Sequence, residues 1–161
     1  MSQARMASSI SAISVFDLDR TITIHGTWSP FVLFAARRRA PWRLALVPLV
    51  LLQMASYKLG LINRSGLKQR MQSTMIGARI GREEIRDIAS AFADRLLESG
   101  IHQRAIDAIR AEQRAGRRVI IATAAHAYYA QAIADRLGAS DVVATGALWD
   151  FDRLTPRLDR K

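Results

Sequence analysis

Ala12, Ile13, Ser14, Val15 and Phe16 form an apolar run broken only by Ser14 and ended by Asp17. A run too short for a helix and nearly free of polar side chains predicts a strand buried on both faces, as in a parallel sheet covered by helices. Arg117 and Arg118 lead into a second such run, Val119, Ile120, Ile121 and Ala122, which ends at Thr123. Between the two, residues 101–115 carry Ala105, Ile106, Ala108, Ile109 and Ala111 at helical spacing, with Gly116 as the C-terminal cap. Residues 128–137 predict a further helix ended by Gly138, and residues 142–144 a third short strand. Alternating strands and helices specify an α/β domain on a parallel sheet.

Residues 27–100 follow another pattern, with helical periodicities, no convincing strand, and breaks at Pro41, at Asn63 to Gly66 and over residues 77–81. They predict an all-helical insertion, so residues 1–26 and 101–161 form the α/β core and residues 27–100 sit between its first two strands. Trp28, Phe31 and Phe34 share one helical face and are expected in the core of that insertion. The chain has 161 residues, half of them apolar, which suits one packed unit. The longest uncharged run, residues 44–57, contains Pro48 and falls short of the roughly 20 residues that a spanning helix needs, so it predicts a buried or interfacial helix. Residues before Ile13 lack the apolar stretch of an export signal. The absence of cysteine excludes disulfides and thiolate metal sites and agrees with a cytoplasmic location.

The 24 Lys and Arg against 14 Asp and Glu give a net charge of +10, which points to phosphorylated substrates, nucleic acid or anionic lipid. No nucleic-acid reading motif accompanies the charge, so nucleic acid is the least supported of the three. Arg37, Arg38 and Arg39 ordinarily mark a solvated face. With Arg43 and Trp42 beside the apolar run, they also offer a weak, peripheral contact to an anionic membrane through the helical insertion. His25, His102 and His126 are too scattered for a metal-ligand pattern, and exposed or capping side chains are expected of them.

Candidate chemistry lies at the two strand tips. Asp17 and Asp19 stand two residues apart where the first strand ends, the end at which open parallel sheets bind ligands. The first carboxylate can attack phosphorus while the second moves protons, and a divalent cation, most plausibly Mg²⁺, would offset repulsion between carboxylate and phosphate. The pair alone is equally compatible with turn or helix capping. It is no calcium loop, because Thr21 and Trp28 stand where that loop needs an oxygen-rich residue and Glu. The second tip presents the Thr123 hydroxyl among Ala122, Ala124 and Ala125, whose small size would let backbone N–H groups approach a phosphoryl oxygen.

Asp17, Asp19 and Thr21 resemble the D-x-D-x-T motif, and Thr123 the second motif, of the haloacid dehalogenase superfamily, in its phosphoserine-phosphatase-like subfamily IB. Ile133 to Gly138 followed by Asp141 to Thr145 adds to the likeness, which runs from about Ser14 to Arg157. The resemblance implies a Rossmann-like parallel-sheet core with an inserted helical cap. It further implies a Mg²⁺-dependent phosphomonoester hydrolase acting on a small phosphorylated metabolite through an aspartyl-phosphate on Asp17. Asp19 would be general acid and base, Thr123 would orient the phosphoryl group with Thr21 and Ala124 lining its site, and Asp17 with the Asp19 backbone carbonyl would hold the metal.

Two departures qualify the resemblance. The family's third-motif Lys and fourth-motif acid have no counterpart before the chain ends at Leu158, Asp159, Arg160 and Lys161, a C-terminally truncated pattern. Phosphoserine phosphatases carry a cap Glu where this chain reads His25, Gly26 and Thr27, so phosphoserine is not the expected substrate. The alternative function is a catalytically incomplete binding or membrane-surface module, and an unpaired sheet edge would favour self-association.

Overall fold

β1 (Ile13–Asp17) lies parallel to β3 (Arg118–His126), with register running from Ile13 opposite Arg118 to Asp17 opposite Ala122. β4 (Asp141–Thr145) pairs in parallel with the other edge of β3, so the sheet order is β1-β3-β4. This is a computed structural model, and it describes residues 12–158. The N-terminal stretch expected to lack an export signal, and Lys161, lie outside the described residues.

Helix α5 (Gln103–Arg114) feeds β3, and α6 (Ala127–Leu137) joins β3 to β4. Both connections step the same way across the sheet, so right-handed crossovers put both helices on one face. Gln113 of α5 accordingly donates to the carbonyls of Leu137 (3.0 Å) and Gly138 (2.8 Å) at the end of α6. The consequence corrects an expectation. β1 is not buried on both faces, because among the described residues nothing covers the second one: Ile13 is 51 % and Val15 62 % exposed. The covered face holds Val119 and Ile121 of β3 against Ala105 and Ile109 of α5 and Ile133 of α6, all in one core.

The inserted segment supplies α1 (Trp28–Arg39), α2 (Val47–Lys58), α3 (Arg64–Met75) and α4 (Arg82–Ser99). It also contains β2 (Ile80–Gly81), contrary to the strand-free reading. That pair becomes a strand because β6 (Arg153–Leu158) supplies an antiparallel partner, and β5 (Ala147–Asp150) completes a second, three-stranded sheet. Neither β5 nor β6 was legible, since Trp149, Leu154 and their neighbours alternate too irregularly for a period-two signal.

Aromatic packing binds the inserted helices to the α/β layer. Phe31 of α1 stacks on Tyr129 of α6 at 4.5 Å and meets Phe92 of α4 edge-on at 5.3 Å. Arg136 of α6 adds an ion pair to Asp94 of α4 and a 2.7 Å hydrogen bond to Ser90. Arg39, read with its neighbours as a solvated cation, is instead engaged: it pairs with Glu84 at 2.8 Å and donates to the carbonyls of Ile76 and Arg79. Arg43 donates to the Ser73 and Thr74 carbonyls, so two guanidiniums neutralise the negative end of α3.

This arrangement leaves no room beside Gly77, whose φ is +110° and where a Cβ would lie 2.8 Å from Arg39 Nη1. His126, expected to be exposed or capping, is 1 % exposed, because β3 runs on past Thr123 and carries it inward against Trp28 (4.6 Å) and Tyr128 (5.2 Å). Neither ring nitrogen has a hydrogen-bond partner among the described residues. Burial first, then the charge of Lys68, pushes its pKa down to about 3, so the ring is neutral.

Two stability measurements follow from these positions. Gly77→Ala should destabilise the fold by about 1–3 kcal/mol in urea unfolding, with most of the loss coming from the positive φ and the displaced Arg39. For His126 the folded pKa lies below the unfolded value near 6.5, so protonation favours the unfolded chain. Stability should fall by about 1.4 kcal/mol per pH unit as pH drops below about 6.5. His126→Gln should remove that part of the slope.

Candidate active site

β1 ends at Asp17, and the chain leaves the sheet in a tight turn, Leu18–Ile22, anchored by the buried Leu18 and Ile22. Asp17 is exposed, and Thr21 turns back to donate to its Oδ2 at 3.2 Å. Arg20 holds a left-handed φ of 64°, and its N–H donates to Thr23 Oγ1 at 3.2 Å. The Thr23 hydroxyl in turn reaches the carbonyls of Leu18 and His25, which closes the loop.

Asp19 is held from the first inserted helix. Its Oδ1 accepts the Thr27 N–H at 2.8 Å and the Thr27 hydroxyl at 2.7 Å, and that hydroxyl lies 3.0 Å from the buried Tyr129 OH. Burial raises the Tyr129 pKa, with the Thr27 hydrogen bond acting against the shift, so the phenol stays protonated as a donor. The capping alternative is therefore met in part: Asp19 does bind the start of α1, but through one oxygen only.

Pairing of β1 with β3 brings Thr123 beside this turn, since Ala122 stands opposite Asp17. Thr123 does not end the strand as expected. Its Oγ1 accepts the Ala125 N–H at 3.1 Å within a register irregularity between Ala122 and His126, where the strand bends around the site. Asp17, Asp19, Thr123 and Ala124 all line one cleft of about 530 Å³. Thr21 adjoins it through its bond to Asp17. Every candidate residue from the sequence is thus brought to one place; His25 is exposed and outside the lining, and His102 sits at the start of α5.

The cleft also contains residues that the sequence did not mark. Arg20, Ser29 and Arg64 line it, and Trp28, expected in the core, is half-buried on its wall. Lys68 of α3 stands close by, donating to the Ala124 carbonyl at 2.8 Å and lying 5.8 Å above the Trp28 ring. Burial and Arg64 lower its pKa, and Asp19 acts in the opposite direction. No sequence signal reveals Arg64 or Lys68, because more than forty residues separate them from either motif and only the packing of α3 brings them near. The result is two carboxylates facing three cations, a charge distribution suited to a phosphate group.

Among the described residues, no three His, Asp or Glu side chains gather into a metal cluster. Asp17 and Asp19 bring carboxylate oxygens to the cleft. Such oxygen ligands, few in number, are compatible with Mg²⁺, which keeps several waters and takes the rest of its shell from substrate phosphate.

Comparison with known proteins places this geometry in context. A protein of unknown function from Bordetella pertussis Tohama I has a similar structure, with a TM-score of 0.78 at 20% identity, covering 92% of this chain and 67% of that one. A phosphoserine phosphohydrolase-like protein from Francisella tularensis subsp. tularensis SCHU S4 gives 0.56 at 16% identity, over 93% of this chain and 65% of that one. A phosphoserine phosphatase solved as an analogue of its phospho-aspartyl intermediate gives 0.55 at 15% identity, over 92% and 62%. The chain therefore spans about two thirds of the length of these structures. No curated protein matches the sequence. The family described as haloacid dehalogenase-like hydrolase matches residues 14–161, with Asp17, Asp19 and Thr123 inside the match, and the chain belongs to that family.

Proposed function

We propose that the chain carries the nucleophile half of a Mg²⁺-dependent phosphomonoesterase for a small phosphorylated substrate, with residues 27–100 acting as its cap. The supporting observation is the meeting of Asp17, at the end of β1, with Thr123 of the neighbouring parallel β3, in a cleft that also holds Arg20 and Arg64. Solved structures that resemble this one include a phosphoserine phosphatase as an analogue of its phospho-aspartyl intermediate and a substrate-bound phosphoserine phosphatase complex. Bound Mg²⁺ would supply the positive charge that lets an anionic nucleophile approach an anionic phosphate.

In this reading Thr21 fixes the Asp17 carboxylate through Oδ2 and leaves Oδ1 for phosphorus. The new bond joins Asp17 oxygen to phosphorus while the ester P–O bond breaks. The departing alkoxide takes its proton from Asp19, whose second oxygen is not occupied by Thr27. Water then attacks phosphorus, gives its proton to Asp19 and releases the Asp17 carboxylate with inorganic phosphate. Thr123, Lys68 and Arg64 hold the phosphoryl oxygens. Trp28 and Ser29, at the start of α1, shape the mouth through which the substrate enters.

Hydrolysis of a generic phosphate monoester by the 161-residue chain, with and without Mg²⁺, is the direct test. Mg²⁺-dependent turnover is expected to fall by roughly 10³-fold or more in Asp17→Asn, with unfolding midpoint unchanged. Retained activity in that variant removes Asp17 as nucleophile. No turnover by the folded parent chain removes the phosphatase reading and leaves the binding module. Thr123→Ala should cost about 10- to 100-fold in kcat, and Thr123→Ser should restore most of it. In Lys68→Ala the loss should appear chiefly in KM, which separates phosphate capture from the chemical step.

A further inference from the structure

The cleft leaves unused the outer surface around α2. Only Val50 of this twelve-residue helix is buried. Leu51 and Leu52 are 59 % and 62 % exposed, Leu59 and Leu61 just beyond it 75 % and 73 %, and Trp42 in the turn before it 65 %. Held on its inner side by α3, through contacts such as Gln53 to Thr74 at 3.0 Å, the helix presents leucines to the outside where an ordinary surface helix carries charge.

The charged side chains of the segment that carries this patch have one sign. Of the 24 Lys and Arg in the chain, nine fall between Arg20 and Arg82, and none of the 14 Asp and Glu does. Arg37 and Arg38 close α1 immediately before the patch, Arg43 stacks on Trp42 at 4.9 Å, Lys58 ends α2, and Arg70 lines the groove between α2 and α3. Arg37, Arg38, Lys58 and Arg70 have no ion-pair partner among the described residues. An apolar surface ringed by unpaired cations matches an anionic lipid interface, with headgroup phosphates outside and acyl chains within. A second copy of the chain fits poorly, because a two-fold contact would set cations against cations.

We propose that α2 and the turn before it dock the protein on an anionic membrane surface, leucines and Trp42 entering the interface and Arg37, Arg38, Lys58 and Arg70 meeting the headgroups. The helix lies along the surface and does not cross it. Twelve residues reach about 18 Å against a hydrocarbon core of about 30 Å. Among the described residues no helix is long and apolar enough to span. Docking is independent of catalysis and needs neither Mg²⁺ nor Asp17.

Co-sedimentation of the full 161-residue chain with vesicles decides the matter, using phosphatidylcholine alone or mixed with about one third phosphatidylglycerol. Binding to the mixed vesicles is expected, weakening by about tenfold or more as NaCl rises from about 0.1 M to about 0.5 M. A blue shift of tryptophan fluorescence should accompany it and disappear in Trp42→Phe. Leu51→Asp combined with Leu52→Asp, at exposed positions that leave the fold and melting curve unchanged, should lower binding by at least about tenfold. The combined Arg37→Gln, Lys58→Gln and Arg70→Gln variant should bind less and lose salt sensitivity. Asp17→Asn should bind like the parent whether or not the phosphatase reading holds. The proposal is overturned by no binding to mixed vesicles, by equal binding to neutral ones, or by full binding of the double aspartate variant. It is equally overturned if the patch instead drives dimerisation in equilibrium sedimentation that the same double variant abolishes.

Discussion

One side chain, Tyr129, joins the three parts of the molecule. Its ring is fully buried against Phe31 and Phe92, so it couples α6 of the sheet layer to α1 and α4 of the inserted segment. Its hydroxyl meets Thr27, and Thr27 holds Asp19 with both backbone and side chain. Burying the phenol is favourable when its hydroxyl finds a partner, and here that partner, Thr27, leads to the cleft. Hydrophobic packing and the orientation of the proposed proton carrier therefore depend on the same contact, and neither can shift without the other.

The cleft brings opposite charges together without neutralising them in ion pairs. Asp17 and Asp19 are fixed by neutral hydroxyls and a backbone N–H, while the ammonium of Lys68 is tied to a carbonyl. None of the five ion pairs among the described residues involves a cleft residue. Both signs are consequently free to act on an incoming group, which is the requirement for binding an anion while attacking it. Elsewhere the balance differs. Arg39 and Arg43 serve structure by closing α3, and the remaining cations of the inserted segment stay outside, beside apolar helix faces that the core does not use.

Legibility in the sequence followed the range of the interactions involved. The runs at residues 12–16 and 119–122 marked β1 and β3 because apolar stretches too short for a helix form strands, although only one face of β1 is covered, and Gly116 and Gly138 marked helix ends because both adopt a positive φ. The acidic pair could be placed at the end of β1 for the same local reason, whereas β3 continues past Thr123 to His126. β5, β6 and β2 were hidden, since a short antiparallel strand takes its identity from its partner and little from its own residues. The burial of His126 and the exposure of Val15 were hidden too. One depends on how far β3 continues, the other on which face both crossover helices occupy.

What the sequence determined by itself is the α/β order of the chain, the helical nature of most of residues 27–100, and the candidate residues Asp17, Asp19 and Thr123, each of them written into a stretch of a few positions. What tertiary structure alone decided is the company these residues keep. Arg64 and Lys68 approach Asp19 and Thr123 only because α3 packs over the sheet's end, and Asp19 is oriented only because Phe31 and Tyr129 draw α1 onto α6. Local composition sets which elements form. Contacts across forty to a hundred residues set where their side chains meet, and no pattern along the chain encodes those distances.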